Sequence, residues 1–233
     1  MRVGVLETGA PPADLQPRFG RYPAMMQRML GPAFSYGAFN VFDNPPPRPD
    51  ACDAWVITGS SAGVYEGASW IAAVEQFLRA AKGRVPLIGI CFGHQIMAQA
   101  FGGLVEKSAR GWCAGLHTYR VTHVEPWMDP AETIAVAASH QDQVVAPPPN
   151  ARLIAASAFT PFAGFAYTDQ PAISFQCHPE FEPAYAGALY ETRRGGAFDD
   201  ATTDRAIASL AGHSDRALVA GWLQSFLAGR AGG

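Results

Sequence analysis

The chain has 233 residues, and its 17 Lys and Arg against 20 Asp and Glu give a formal net charge of −3 at pH 7. Hydrophobic residues make up 48% and charged residues 16%, so the sequence can build a packed core and does not have the composition of a disordered chain. The near-neutral charge excludes a protein that coats a phosphate backbone. No apolar stretch approaches the roughly 20 residues of a membrane span, so we expect neither a nucleic acid nor a membrane as partner.

Short apolar runs alternate with helical patterns along the first half of the chain. Apolar spacing and turn signals predict strands at residues 3–6, 38–42, 54–57 and 87–90. The same signals predict helices at residues 22–30, 70–81 and 96–101. The run at 87–90 is continuously apolar, which is typical of a parallel strand that is buried on both faces.

The second half of the chain changes character. Strand-like runs follow one another at residues 117–123, 134–138, 152–156, 165–167 and 172–176, and a helical tail follows at about 185–229. This order predicts an α/β fold, a three-layer sandwich whose mostly parallel central sheet has helices on both faces and an antiparallel extension. No linker divides the chain, so residues 1–233 are predicted to form a single domain.

The cysteines indicate the compartment. The four are Cys52, Cys91, Cys113 and Cys177; they lie far apart and form no C-x-x-C pair, which argues against a disulfide framework or a metal site. Glu7 interrupts the first apolar run, so we expect no signal peptide. A reducing cytoplasm is therefore the expected location.

One cysteine has an informative setting. Cys91 follows the predicted strand at 87–90, has Gly89 and Gly93 two residues to either side, and stands where a helix begins. Small neighbours permit a sharp, strained turn from strand to helix that raises one side chain above the sheet. The helix dipole favours a thiolate there, and the N–H of Phe92 is free to face an oxyanion. A buried structural cysteine is the alternative interpretation.

A second segment, His178-Pro179-Glu180, supplies a base with a partner. Pro179 favours an extended backbone at His178, and side chains two apart in an extended chain share a face. The Glu180 carboxylate would then orient the imidazole, whose other nitrogen would serve Cys91, as a cysteine nucleophile requires. A surface His–Glu pair near a turn is the alternative interpretation.

Together these motifs resemble the class I glutamine amidotransferase family of the triad type. The resemblance rests on residues 89–95 and 178–180, extends to residues 58–61 and 139–142, and covers about residues 1–185. It implies a flavodoxin-like central sheet. The two motifs together are a specific indicator of this family, although each motif alone is a weak one.

The resemblance also implies roles for individual residues. Cys91 would attack a γ-carbonyl, His178 would protonate the leaving nitrogen and then activate water, and Glu180 would hold the imidazolium. The backbone amides of Gly59 and Phe92 would form the oxyanion hole. The residues that would hold the α-amino and α-carboxylate groups of the substrate are Gln95, Ser139, His140, Gln141 and Asp142. This chemistry needs no metal and no organic cofactor.

We therefore expect an enzyme that hydrolyses the γ-amide of glutamine or of a γ-glutamyl conjugate, with a small molecule as substrate. Gly111-Trp112, Gly115 and residues 63–65 resemble free-standing family members, some of which act as γ-glutamyl hydrolases or peptidases. One alternative is a glutaminase subunit that delivers ammonia to a separate synthase partner. Another, from a different class, is a redox sensor or chaperone-like protein of the same fold whose elbow cysteine is oxidised.

Overall fold

The computed structural model describes residues 1–229, which form eleven strands and seven α-helices with one short 3₁₀ turn at Pro49–Ala51. The strands are β1 (Arg2–Glu7), β2 (Ser35–Asn40), β3 (Ala54–Ile57), β4 (Leu87–Ile90), β5 (Leu104–Lys107), β6 (Cys113–Val121), β7 (Thr133–His140), β8 (Asp142–Ala146), β9 (Ala151–Ala156), β10 (Gly164–Tyr167) and β11 (Ala172–Phe175). The helices are α1 (Gln16–Phe19), α2 (Tyr22–Leu30), α3 (Ser69–Ala81), α4 (Phe92–Ala100), α5 (Pro183–Glu191), α6 (Asp200–Ser209) and α7 (Arg216–Ala228).

Nine of these strands form one mixed sheet in the order β2-β1-β3-β4-β11-β10-β9-β6-β7. The pairs from β2 to β11 are parallel, and the pairs from β11 to β7 are antiparallel. Strands β5 and β8 pair separately as a two-stranded antiparallel sheet. The predicted α/β architecture, a mostly parallel centre with an antiparallel extension, is confirmed.

Side chains along a strand of the central sheet point alternately to its two faces, and helices cover both faces. On β4, Ile88 and Ile90 face the core that contains α2 and α7, whereas Leu87 faces the core that contains α3 and α4. All four residues of β4 are buried, and burying each large aliphatic side chain contributes about 1.5–3 kcal/mol. This double burial explains the continuously apolar run in the sequence.

The structure differs from the predicted elements at several boundaries. Strand β6 begins at Cys113 and not at 117, and helix α4 begins at Phe92 and not at 96. Strand β2 is Ser35–Asn40 instead of 38–42, because its register on β1 begins with the pair Arg2 and Ser35. Strands β5 and β8 and the four-residue α1 were not predicted. Only one of the four residues of β5 is buried, so this strand lacks the apolar run or alternation that identifies a strand from sequence.

The predicted helical tail is three separate helices, α5 to α7, and not one continuous element. Helix α5 packs its Tyr185, Leu189 and Tyr190 against Phe181 and Phe198 in a third apolar cluster. The single-domain prediction for 1–233 includes residues 230–233, which lie outside the described residues, and it stays a prediction. No helix within residues 1–229 combines the length and the apolar character needed to cross a membrane.

Candidate active site

Cys91 occupies a strained turn between β4 and α4. Its backbone angles are φ 54° and ψ −104°, a conformation that side chains of L-residues disfavour at a cost of about 1–3 kcal/mol. The turn is held from both sides: the Cys91 N–H donates to the carbonyl of Phe175 at 2.9 Å, and the Gln95 N–H donates to the carbonyl of Cys91 at 3.0 Å. The predicted sharp turn from strand to helix is confirmed.

The two flanking glycines are required by close backbone contacts. A Cβ on Gly89 would lie 2.5 Å from the carbonyl oxygen of Gly93. A Cβ on Gly93 would overlap the carbonyl oxygen of Ile57 at the end of β3. Because neither position has room for a side chain, the first turn of α4 can lie directly against β3, where the Gly93 N–H donates to the Thr58 carbonyl at 3.1 Å.

His178 and Glu180 are brought together in the loop that follows β11. The His178 N–H donates to the carbonyl of Ala137 at 2.8 Å, and the Phe181 N–H donates to the carbonyl of His178 at 3.2 Å. This turn places Nδ1 of His178 2.8 Å from Oε1 of Glu180, with both side chains almost fully buried. The expected pairing is present, but a turn produces it and not the alternation of an extended chain.

The imidazole ring of His178 is fixed in its plane by an aromatic stack. Phe181 lies parallel to it, with ring centroids 3.9 Å apart and an interplanar angle of 8°. Tyr185 contacts the edge of Phe181 at a centroid distance of 4.7 Å. A ring held by one hydrogen bond and one stack has little freedom to turn away from its partners, which preorganises it for proton transfer.

Two neighbouring side chains keep the imidazole protonated. Burial acts to lower the pKa of His178, but Glu180 and then Cys91 outweigh it and raise that pKa to about 10. At neutral pH the ring is therefore an imidazolium whose Nδ1–H donates to Glu180. A cysteine beside an imidazolium is the pairing that activates a thiol as a nucleophile.

Gly59 lies where Cys91 and His178 meet. A Cβ on this glycine would stand 3.2 Å from Cε1 of His178 and 3.7 Å from Cβ of Cys91. The loop that carries Gly59 is anchored underneath, because the Thr8 hydroxyl donates to the Thr58 carbonyl at 2.9 Å. The other predicted oxyanion donor, the N–H of Phe92, belongs to the first residue of α4 and has no acceptor within that helix.

The predicted substrate-binding residues surround a recess of about 150 Å³ beside Cys91. Ser139 and His140 end β7, and Asp142 begins β8, so this segment is a tight connection between two strands. Gln95 donates to the Asp142 carbonyl at 2.8 Å and to Oε1 of Gln176 at 3.1 Å. With its amide hydrogens engaged, Gln95 would present its oxygen to a ligand.

The five residues of this recess differ in what they can offer. Burial lowers the pKa of His140 to about 3, so its ring is neutral, and its Nδ1 lies 3.1 Å from the Asp142 carbonyl. Burial raises the pKa of Asp142, whose Oδ2 accepts from the hydroxyl of Tyr65 at 2.9 Å. Gln141 lines the recess and accepts from the Ser108 N–H at 3.2 Å through its carbonyl. The structure thus brings all five together, while their roles stay predictions.

A second cavity and one arginine were missed by the sequence analysis. The cavity measures about 720 Å³, shares Cys91 and Ser139 with the recess, and has Tyr22, Phe181 and Leu189 in its wall. Arg193, just after α5, lines both cavities and donates from Nη1 to Oγ of Ser139 at 2.7 Å. No motif surrounds Arg193 in the sequence, so only the fold identifies it.

The remaining reactive side chains have structural roles. His94 is fully buried, with its ring nitrogens 2.8 Å from the Ser174 hydroxyl oxygen and 3.0 Å from the Phe162 carbonyl oxygen. Cys177, next to His178, packs into the core beneath the sheet. Within residues 1–229 no three His, Cys, Asp or Glu side chains are grouped as metal ligands.

Comparisons with known proteins place these features in a family. The family described as glutamine amidotransferase class-I matches residues 43–193. A glutamine amidotransferase-like protein of Schizosaccharomyces pombe is 26% identical over an alignment of 210 residues that covers 83% of this chain and 84% of the relative. A glutamine-hydrolysing GMP synthase subunit of Ignicoccus hospitalis is 27% identical over 170 residues, covering 73% of this chain and 89% of that relative.

Gamma-glutamyl peptidase 2 of Arabidopsis thaliana is 31% identical over an alignment of 153 residues that covers 61% of this chain and 60% of the peptidase. Among solved structures, a glutamine amidotransferase of Methylobacillus flagellatus superposes with a TM-score of 0.78 at 21% identity, covering 97% of this chain and 92% of that one. At this identity the superposition shows a shared fold.

Proposed function

This chain belongs to the class-I glutamine amidotransferase family, and on that basis we propose that it hydrolyses the γ-amide of a γ-glutamyl conjugate or of glutamine through a thioester on Cys91. The observation that carries this proposal is the strained cysteine beside a buried imidazolium–carboxylate pair, with φ 54° at Cys91 and 2.8 Å between His178 and Glu180. Nucleophile, proton donor and orienting group are thus within one small volume.

The first half of the reaction forms the thioester. The thiolate of Cys91 attacks the γ-carbonyl carbon, and the carbonyl electron pair moves to its oxygen. The N–H groups of Gly59 and Phe92 stabilise this oxyanion, a kind of contact worth about 3–4 kcal/mol per donor in acyl transfer. The protonated His178 gives its Nε2 proton to the leaving nitrogen as the C–N bond breaks, and Glu180 keeps the ring oriented.

The second half releases glutamate. His178 is now neutral and accepts a proton from water, whose oxygen attacks the thioester carbon. The C–S bond breaks, the thiolate returns to Cys91 and the imidazolium is restored. The released γ-carboxylic acid loses its proton to solvent, and no other group of the protein has to gain or lose one. The three side chains and two backbone amides therefore account for the full cycle.

The two cavities favour a conjugate over glutamine as substrate. The recess of about 150 Å³ contains the predicted glutamyl-binding residues. The cavity of about 720 Å³, which also contains Cys91, is lined in part by Tyr22, Phe181 and Leu189. Ammonia needs no such volume and gains nothing from apolar walls, whereas a larger leaving amine does. The similarity to a gamma-glutamyl peptidase agrees with this preference.

A substrate panel tests the proposal. Purified protein is incubated with glutamine, γ-glutamyl dipeptides and γ-glutamyl amines, and the released glutamate is measured. We expect turnover of conjugates without any partner, and loss of turnover in Cys91→Ser. Cys52→Ser is the matched control, because Cys52 is buried outside both cavities and its change should leave turnover unaffected. Absence of turnover with every compound would refute the proposal.

A glutaminase subunit is the second candidate, favoured by the similarity to a glutamine-hydrolysing component of GMP synthase. In that case the protein alone would release little glutamate from any compound, and a synthase partner would raise its activity on glutamine. The redox-sensor alternative has less support, because an oxidised thiol does not need the buried His178–Glu180 pair. The cytoplasmic location stays a prediction.

A further inference from the structure

Arg193 carries a charge that no carboxylate of the described chain neutralises. Within residues 1–229 no Asp or Glu oxygen lies within ion-pair distance of it, and its polar partner is the neutral Oγ of Ser139. The next residue, Arg194, is the opposite case, because it pairs with Glu191, Asp200 and Asp204 at 2.7 to 3.3 Å. Of these two adjacent arginines, Arg194 has three carboxylate partners and Arg193 has none among the described residues.

The guanidinium of Arg193 is held rigidly in place. It lies over the ring of Trp112 at 4.8 Å and near the ring of Phe198 at 5.5 Å. Its carbonyl accepts from the N–H groups of Gly196 and Phe198, which closes the turn after α5. The side chain is partly buried, and this burial lowers the pKa of Arg193. A partly buried cation with no carboxylate beside it favours the binding of an anionic ligand group.

The position of Arg193 indicates which anion. In the small recess a second cation, Lys107, is available to the α-carboxylate of a glutamyl group. In the cavity of about 720 Å³, Arg193 is the only Lys or Arg among the described residues that line it. Asp14, the carboxylate in that wall, is exposed, so its charge is screened by solvent. An anionic group on the leaving side therefore has Arg193 as its partner.

We propose that Arg193 determines specificity by binding the carboxylate of the leaving amine, so that the preferred substrates are γ-glutamyl conjugates of amino acids. This inference rests on the hydrolase activity proposed above. In such a conjugate the carboxylate is separated from the scissile nitrogen by one carbon atom, and Arg193 and Cys91 line the same cavity. A planar guanidinium with free N–H donors matches a carboxylate in shape and charge.

Two substrates that differ only in this carboxylate test the proposal. γ-Glutamylalanine and γ-glutamylethylamide have the same amide and the same ethyl skeleton, and only the first has the carboxylate. We expect the wild-type kcat/KM to be about 10- to 100-fold higher for γ-glutamylalanine, the value of a hydrogen-bonded charge pair. Arg193→Met should abolish this preference, because it should lower kcat/KM for γ-glutamylalanine about 10- to 100-fold more than kcat/KM for the ethylamide, and Arg193→Lys should restore part of the preference.

Arg194→Met is the matched control, since it removes a neighbouring positive charge that already has carboxylate partners; it should retain the wild-type preference. Equal losses on both substrates in Arg193→Met would overturn the proposal, and so would a wild-type enzyme that does not distinguish the two compounds. A thermal melt shows whether Arg193→Met is folded. If it is not, the comparison of the two substrates with the wild-type enzyme still tests the proposal. Failure of the wild-type protein to cleave any γ-glutamyl compound would instead refute the hydrolase activity itself.

Discussion

Replacing Glu180 by Gln removes the negative charge beside the imidazole of His178 and leaves the shape of the side chain at position 180 nearly unchanged. In the wild-type protein Oε1 of Glu180 lies 2.8 Å from Nδ1 of His178, and both side chains are buried. The variant keeps an oxygen that can accept the same hydrogen bond. While the ring is protonated, the difference between the two proteins is therefore mainly electrostatic.

The size of this effect follows from the distance. Charge centres about 4 Å apart at an effective dielectric constant of about 20 interact by about 4 kcal/mol, which corresponds to about three pKa units. The pKa of His178, about 10 in the wild-type protein, should thus fall to about 7 in Glu180→Gln. At pH 7 about half of the His178 rings would then be neutral, which alone lowers turnover only about twofold. The larger part of an expected loss of about 100- to 10,000-fold comes from the Gln amide, which can donate to Nδ1 and so hold the unproductive tautomer.

The assay is an NMR titration of ¹⁵N-labelled histidines, with the His178 signals assigned from their loss in His178→Asn. Glu182→Gln is the matched control, because Glu182 is a half-exposed carboxylate that contacts Arg28 at the surface and should leave the pKa of His178 unchanged. The reasoning is refuted if His178 titrates near its ordinary value in the wild-type protein, or if Glu180→Gln does not lower its pKa.

Three other predictions concern the elbow, a buried histidine and the recess. Gly93→Ala should lower the free energy of unfolding, measured in urea, by at least about 2 kcal/mol, because the new Cβ meets the last carbonyl of β3. Gly221→Ala in α7 is the control: a Cβ there meets no atom within 4 Å, so the free energy of unfolding should rise by about 0.5–1 kcal/mol. Equal effects of the two substitutions would contradict this prediction. Burial lowers the pKa of His94 to about 4, so on acidification this histidine is protonated in the unfolded state before it is protonated in the folded state. The free energy of unfolding should therefore fall by up to about 3 kcal/mol as the pH drops from about 6.5 to 4. If the stability of the wild type and of His94→Gln fell with the same slope over this range, the prediction would be wrong. Tyr65→Phe removes the 2.9 Å hydrogen bond to Asp142 and should raise KM about 2- to 10-fold with little change in kcat, whereas a large loss of kcat would show that the hydroxyl takes part in the chemistry.

The parts of this fold that could be predicted from sequence are those fixed by local constraints. Strand β4 has the predicted bounds because all of its residues are buried, and the turn at Cys91 follows from glycines that have no room for a Cβ. His178 and Glu180 are two residues apart, so a single turn suffices to pair them. In each case the sequence pattern and the structural cause lie within a few residues of one another.

The parts that could not be predicted depend on contacts between distant segments. Arg193 reaches the site because the turn after α5 folds back on β7, which joins residues 54 positions apart. The pairing of β5 with β8 likewise joins Leu104 to Ala146 through two short strands that are largely exposed. Neither contact leaves a periodic or compositional pattern in the sequence, so only the three-dimensional arrangement shows it.

The central claim is that Cys91 carries a γ-glutamyl thioester, and mass spectrometry of an acid-quenched reaction tests it most directly. Protein mixed with excess γ-glutamylalanine is quenched within one turnover and digested, and the peptide that contains Cys91 is examined. We predict that this peptide gains the mass of one glutamyl group, that the gain disappears on treatment with hydroxylamine, and that Cys91→Ala shows none. Glutamate release without any such adduct, or an adduct on Cys52, Cys113 or Cys177 in place of Cys91, would contradict the account.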